Sequence, residues 1–175
     1  MRLHRLVPLV VALLTFSSSY AAAQAPAKQP QCGPDHAIIY KRAVSLLDQA
    51  DKKLTAKYTA EAKSLVKESN SLFTILQKEC GQTQKERPLN PKETQQEAIN
   101  QKLSADTRAQ ADRLMQEAAA NEKKSQEAEN RGQKDVSERL QRQAKGEYER
   151  AHTMYIKAEI YDLRIMQMLF QFLGK

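Results

Sequence analysis

The positions of its two cysteines constrain the fold of this chain more than any other feature. Cys32 precedes one stretch with apolar residues at spacings of three and four, and Cys80 ends a second. Such spacings place side chains along one side of a helix. The first set is Ile39, Ala43, Leu46, Leu47, Ala50 and Leu54, and the second is Tyr58, Ala62, Leu65, Val66, Ser69, Leu72, Phe73 and Leu76. The sequence therefore predicts helices over 35–54 and 58–79, with a turn around residues 55–57.

A disulfide follows from these two helices. One continuous helix would hold Cys32 and Cys80 tens of ångströms apart, at about 1.5 Å per residue, and a disulfide tolerates a Cα separation of roughly 7 Å at most. Antiparallel helices bring the two ends together. We therefore predict a Cys32–Cys80 disulfide that closes a helical hairpin over 35–80, with Gly81 as the helix stop. A redox-active pair is disfavoured, because no C-x-x-C is present and the local sequence offers no partner histidine.

The rest of the chain indicates a second hairpin. Residues 81–91 contain two prolines and little to bury, which predicts a linker. Helical spacing resumes over 92–175, where the third helix is rich in alanine and we expect it to be weakly held or partly exposed. The fold class is therefore all-α in one domain, as a four-helix bundle or an elongated two-hairpin array. Whether Gly146 breaks the last helix stays open.

The N-terminus has the pattern of a secretory signal peptide. Arg2 and Arg5 precede an apolar run over 6–16, and Ala21 to Ala23 supply the small residues of a cleavage site. We expect a signal peptide over 1–23 and an extended, proline-containing leader over 24–34. The apolar run is too short to span a bilayer. The sequence thus predicts export by the general secretion route to the periplasm or medium, as a soluble protein without a transmembrane span, and favours a bacterial source.

The charge pattern bears on the class of partner. The net charge of +7 becomes +5 when Arg2 and Arg5 leave with the signal peptide. The remaining basic residues interleave with acidic ones, as on solvated helices, whereas nucleic-acid-binding proteins present a clustered cationic face. We expect no nucleic-acid partner. Weak contact with an anionic envelope surface stays an alternative, since the net charge is positive.

One helix resembles part of a known repeat. Its small and aromatic residues are spaced like those of the second helix of a tetratricopeptide repeat, over residues 146–158: Gly146, Tyr148, Ala151, Tyr155 and Ala158. The preceding segment is charged where the first helix of such a repeat is apolar, and no second copy is present. The resemblance implies a scaffold that docks a peptide or protein.

No catalytic, cofactor-binding or metal-binding set is predicted. Glycine-rich phosphate loops and the G-x-S-x-G nucleophile elbow are absent from the sequence. His36 and His152 have no second histidine or cysteine at metal-ligand spacing. We therefore expect a non-enzymatic protein.

An aromatic and methionine-rich stripe near the C-terminus supplies the functional hypothesis. It favours an exported helical protein that binds or scaffolds an envelope protein, or a second copy of itself. The residues predicted to bind this partner are Tyr148, Tyr155, Tyr161 and Phe172. A holdase-like chaperone for envelope proteins is the alternative, because methionine side chains adapt to varied apolar surfaces.

Overall fold

The computed structural model describes residues 32–174, which form four α-helices, one short 3-10 helix and no strand. The elements are α1 (Pro34–Thr55), α2 (Thr59–Glu86), α3 (Pro91–Asn130), α4 (Lys134–Leu169) and the 3-10 helix (Gln171–Gly174). The predicted all-α class is confirmed. The predicted signal peptide, and the leader up to residue 31, lie outside the described residues.

Helices α1 and α2 form the predicted antiparallel hairpin. The Cys32–Cys80 disulfide closes one end, with Cα atoms 5.2 Å apart, which confirms the predicted pairing. The chain reverses at residues 56–58, one residue later than expected, where Lys57 adopts a φ of 65°. The two helices bury a shared apolar core of Tyr40, Ala43, Leu47, Ala50, Ala62, Val66, Phe73, Leu76 and Cys80.

The predicted end of α2 is wrong, because the helix continues through Gly81 to Glu86. A glycine inside a helix costs only about 1 kcal/mol relative to alanine, and the glutamine and lysine residues that follow favour helix. Pro88 ends α2 instead. A residue before proline avoids the helical region, and Arg87 is extended, with φ −89° and ψ 110°. The linker therefore spans residues 87–90 rather than 81–91.

Helix α3 begins with a complete set of capping bonds. The side chain of Asn90 accepts hydrogen bonds from the backbone N–H groups of Lys92 and Glu93, both at 3.0 Å. The Glu93 carboxylate accepts from the Asn90 N–H in return. Pro91 occupies the first helical position, where its missing N–H costs nothing. These local interactions fix the start of the longest helix.

Helices α3 and α4 pack antiparallel through a seam of buried small residues, which we call the small-residue seam. Its members repeat every seven positions: Ser104, Ala111, Ala118 and Ser125 in α3, and Ser137, Ala144, Ala151 and Ala158 in α4. Ser104 Oγ donates to the Ala158 carbonyl at 3.3 Å, and Ser125 Oγ donates to the Ser137 carbonyl at 3.0 Å. These two bonds lie three heptads apart in each helix and so define one continuous register.

Helix α4 joins the two hairpins. Its C-terminal half adds Ile156, Ile160 and Leu163 to the core of α1 and α2, and Phe170, directly after the helix, joins them. Every other buried residue of α4 is small, apart from Glu147. No Cα atom of α3 lies within 8 Å of one in α1 or α2. The arrangement is therefore closer to an elongated two-hairpin array than to a bundle around one core.

The open question about Gly146 is resolved, because α4 is unbroken from Lys134 to Leu169. The C-terminal part of α4 is its most apolar region. No helix within residues 32–174, however, combines the length and apolar character that crossing a membrane requires.

The small-residue seam predicts that a larger side chain at Ala118 separates α3 from α4. We expect Ala118→Leu to lower the free energy of unfolding by about 1–3 kcal/mol, the usual cost of overpacking. Ala120→Leu, on the exposed side of the same helix, should change it by less than about 0.5 kcal/mol. Urea denaturation followed by circular dichroism measures the free energy of unfolding of both variants. Equal losses in the two would contradict the close approach of α3 to α4 at Ala118.

Candidate functional site

A groove of about 960 Å³ lies where the turn of the first hairpin meets the middle of α4. We call it the fork groove. Its lining residues from α1, α2 and their turn are Leu54, Lys57, Thr59, Ala60 and Lys63, and those from α4 are Gly146, Glu149, Arg150, His152, Thr153, Met154, Tyr155, Ile156 and Glu159. The groove exists because the α4 residues that enter the core of the first hairpin begin only at Ile156, so the hairpin does not pack further along the helix.

The floor of the fork groove is apolar and partly vacant. Leu54, Met154 and Tyr155 are half-buried, and Ile156 is buried. A Cβ atom placed on Gly146 would meet no other atom within 4 Å. Glycine here, and the small side chain of Ala60 opposite, leave space that larger residues would fill.

The rim of the fork groove carries excess positive charge. Lys57 and Lys63 stand on the hairpin side and are exposed, and neither has an ion-pair partner among the described residues. By contrast, the adjacent Lys53 is neutralised by Glu61. The hydrogen bond and charge of that carboxylate raise the pKa of Lys53. The hairpin side therefore presents two unpaired cations to whatever enters the groove.

The α4 side of the rim is mixed. Arg150 and His152 line it together with the carboxylates of Glu149 and Glu159. Arg150 Nε donates to the Gly146 carbonyl of its own helix at 3.3 Å. The polar groups stand around the opening and the apolar groups form the floor, an arrangement that suits recognition of an amphipathic surface.

The four predicted partner-binding residues lie in three places. Tyr148 and Tyr155 are two turns apart on α4 and donate hydrogen bonds to Glu122 and Asp112 of α3; Tyr155 also lines the fork groove. Tyr161 lines a separate cavity of about 530 Å³ between α1, α3 and α4. Phe172 packs near Phe170, with ring centroids 6.2 Å apart. Partner binding by these residues stays a prediction.

Sequence reasoning missed the groove because its walls are far apart in the chain. Leu54 and Ala60 belong to the first hairpin, and Gly146 belongs to the last helix. The available signal was Gly146 itself, since a glycine inside a strongly helical segment often has a packing or functional reason.

A second cluster of reactive side chains lies at the disulfide end of the hairpin. The sulfur atoms of Cys32 and Cys80 and a ring nitrogen of His36 lie within 4.8 Å of one another. His36 Nε2 is 2.8 Å from Glu79 Oε2. The expectation that the cysteines have no partner histidine is therefore wrong. Cys32 and His36 are four residues apart, so the sequence offered a signal for that pair, whereas Cys80 joins them only through the packing of α2 on α1.

Comparison with known proteins adds no assignment: the chain matches no protein-family model, no curated protein sequence and no solved structure. The resemblance of residues 146–158 to a tetratricopeptide-repeat helix stays a prediction. Inference about function therefore depends on the geometry of this molecule.

The bonds from Tyr148 and Tyr155 to α3 predict a loss of stability at alkaline pH. Hydrogen bonds to Glu122 and Asp112 raise the pKa values of these tyrosines above the ordinary value of 10.0. A raised folded-state pKa means that the stabilisation is complete below pH about 10 and disappears as the pH rises through the raised value.

We expect the free energy of unfolding to fall more steeply above pH about 10 in the wild type than in Tyr148→Phe/Tyr155→Phe, which lacks both titrating hydroxyls. Urea denaturation at several pH values gives the free energy of unfolding of both proteins. Subtracting one pH profile from the other removes the effect of lysine titration, which both proteins share. Parallel pH profiles would contradict the proposed contribution of these bonds.

Proposed function

We propose that this chain is an exported, non-enzymatic docking protein that holds an amphipathic helix of another envelope protein in the fork groove. The observation that carries the proposal is the preformed groove, with its apolar floor and, on one rim, two lysines that have no ion-pair partner within residues 32–174. Grooves that bind helices accept apolar side chains from successive turns and leave the polar face of the helix in water.

The charges define the expected partner more closely. Lys57 and Lys63 favour a helix whose apolar face is flanked by aspartate or glutamate on the side toward the hairpin. Such complementary charges add more to association rate and specificity than to affinity. The binding energy itself would come from apolar side chains that fill the space beside Gly146 and Ala60.

Two features support placement outside the cytosol. The first 23 residues have the pattern of a signal peptide, and a disulfide closes the first hairpin. Disulfides persist in the periplasm and outside the cell and are rare in the cytosol. The proposed partner is accordingly an envelope protein.

Gly146→Leu tests the proposal because it separates groove occupancy from stability. The new side chain enters open space, so it fills the groove while improving the helix, and we expect it to raise the free energy of unfolding by up to about 1 kcal/mol. Gly81→Leu is the matched control. Gly81 is also inside a helix and has open space around it, but it does not line the groove.

The binding measurement uses a photo-crosslinking residue at exposed Ala60 in intact source cells. We expect one or a few discrete crosslinked proteins, which Gly146→Leu abolishes and Gly81→Leu preserves. Equal yields in the two leucine variants would contradict the proposal. A broad set of unrelated exported proteins would favour the holdase alternative instead.

The charge component has its own test with the captured partner. We expect Lys63→Glu to weaken binding several-fold and to reduce its dependence on salt. Lys67→Glu, one turn further along α2 and outside the groove, should leave binding unchanged. The same loss in both variants would mean that overall charge, and not the rim of the groove, attracts the partner.

A further inference from the structure

The side chains around the disulfide have the composition of a zinc site. Two sulfur atoms and an imidazole nitrogen lie within 4.8 Å of one another. Cys80 is completely buried, and the side chain of His36 is only 12% exposed. Two cysteines and a histidine make up three of the four ligands of common tetrahedral zinc sites.

Two hydrogen bonds hold the ring of His36, one at each nitrogen. The Gly33 N–H donates to Nδ1 at 3.0 Å, so Nδ1 carries the lone pair and Nε2 carries the proton. Nε2 then donates to Glu79 at 2.8 Å. A carboxylate that accepts from one imidazole nitrogen is the usual support of a zinc-bound histidine, and Glu79 is placed for that role, whereas the lone pair of Nδ1 is engaged by the Gly33 N–H. Nδ1 lies beside Gly33, next to Cys32 in the chain.

We propose that, when the disulfide is reduced, Cys32, Cys80 and Nδ1 of His36 bind one Zn²⁺ ion. Glu79 acts as a positioning residue through Nε2–H, and water occupies the fourth position. The ion would connect the start of α1 to α2 at the point where the disulfide otherwise connects them. The chain thus has two alternative links at this end of the hairpin, which exclude each other because they use the same sulfur atoms.

A dithiol reductant gives two electrons and two protons to the Cys32–Cys80 bond, which becomes two thiols while the reductant becomes a cyclic disulfide. Zn²⁺ then replaces the two thiol protons, which pass to solvent, and displaces the Gly33 N–H from Nδ1. With the sulfur–sulfur bond broken, the sulfur atoms are free to separate to the roughly 3.8 Å that tetrahedral zinc with bonds of about 2.3 Å requires.

The site has a stabilising consequence in the reduced chain. Reduction removes the covalent link between α1 and α2, and a bound ion that has no preformed site in the unfolded chain stabilises the folded state. We therefore expect Zn²⁺ to raise the melting temperature of the reduced protein and to leave that of the oxidised protein unchanged.

The direct test is titration of the phosphine-reduced full chain with Co²⁺ and then Zn²⁺, without oxygen. We expect one Co²⁺ per chain with the absorption of a tetrahedral thiolate complex, displacement by Zn²⁺, and no such spectrum from the oxidised protein. An octahedral spectrum, or equal binding by the oxidised protein, would overturn the proposal.

Two substitutions separate a metal ligand from a helix cap. His36 also caps α1, and His36→Gln keeps an acceptor that suits this capping position while it removes the imidazole. We expect His36→Gln to weaken Zn²⁺ binding at least tenfold without loss of helicity. Glu79→Gln should weaken it by about tenfold, as loss of an outer partner commonly does. Wild-type affinity in His36→Gln would refute its role as a ligand.

Discussion

The unequal distribution of side-chain size along α4 is the constraint on which the rest of the structure depends. Toward α3 the helix presents Ser137, Ala144, Ala151 and Ala158, which allow close approach along the whole pair. Its large apolar residues pack into the core of the first hairpin only from Ile156 onward. One helix therefore takes part in two kinds of packing, and the hairpin covers only half of it. Because α3 has 40 residues and α1 has 22, at about 1.5 Å per residue the α3–α4 pair extends well beyond the hairpin.

The fork groove is a consequence of this geometry. The hairpin ends at the middle of α4, where Gly146 has no side chain and Ala60 has only a methyl group to fill the gap. A single substitution would fill the groove, since leucine at position 146 would occupy the space and, like alanine, would stabilise the helix relative to glycine. Surfaces that serve a function are often kept at some cost in stability. The proposed docking function gives this vacancy a role.

Much of the fold could be predicted from sequence because helical apolar spacing and cysteine geometry are strong signals. The two hairpins, the turn after Thr55 and the disulfide all follow from them. The small-residue seam was harder to predict, because alanine and serine contribute little to a hydrophobic pattern. Its only signal in the sequence is the seven-residue period of these small residues. The end of α2 was predicted wrongly at Gly81, because a glycine ends a helix only where a left-handed backbone or a following proline supports the end. Pairing of His36 with Cys80 across two helices depends on tertiary structure.

The most direct test of this account is oxidation of engineered cysteine pairs across the α3–α4 seam, read out by mass spectrometry of the intact chain. The register places Ala118 opposite Ala144, and places Ala151 one heptad away. We predict that Ala118→Cys/Ala144→Cys forms an internal disulfide readily, whereas Ala118→Cys/Ala151→Cys does not. Equal crosslinking of both pairs, or crosslinking only of the second, would contradict the small-residue register and with it the division of α4 into two packing surfaces.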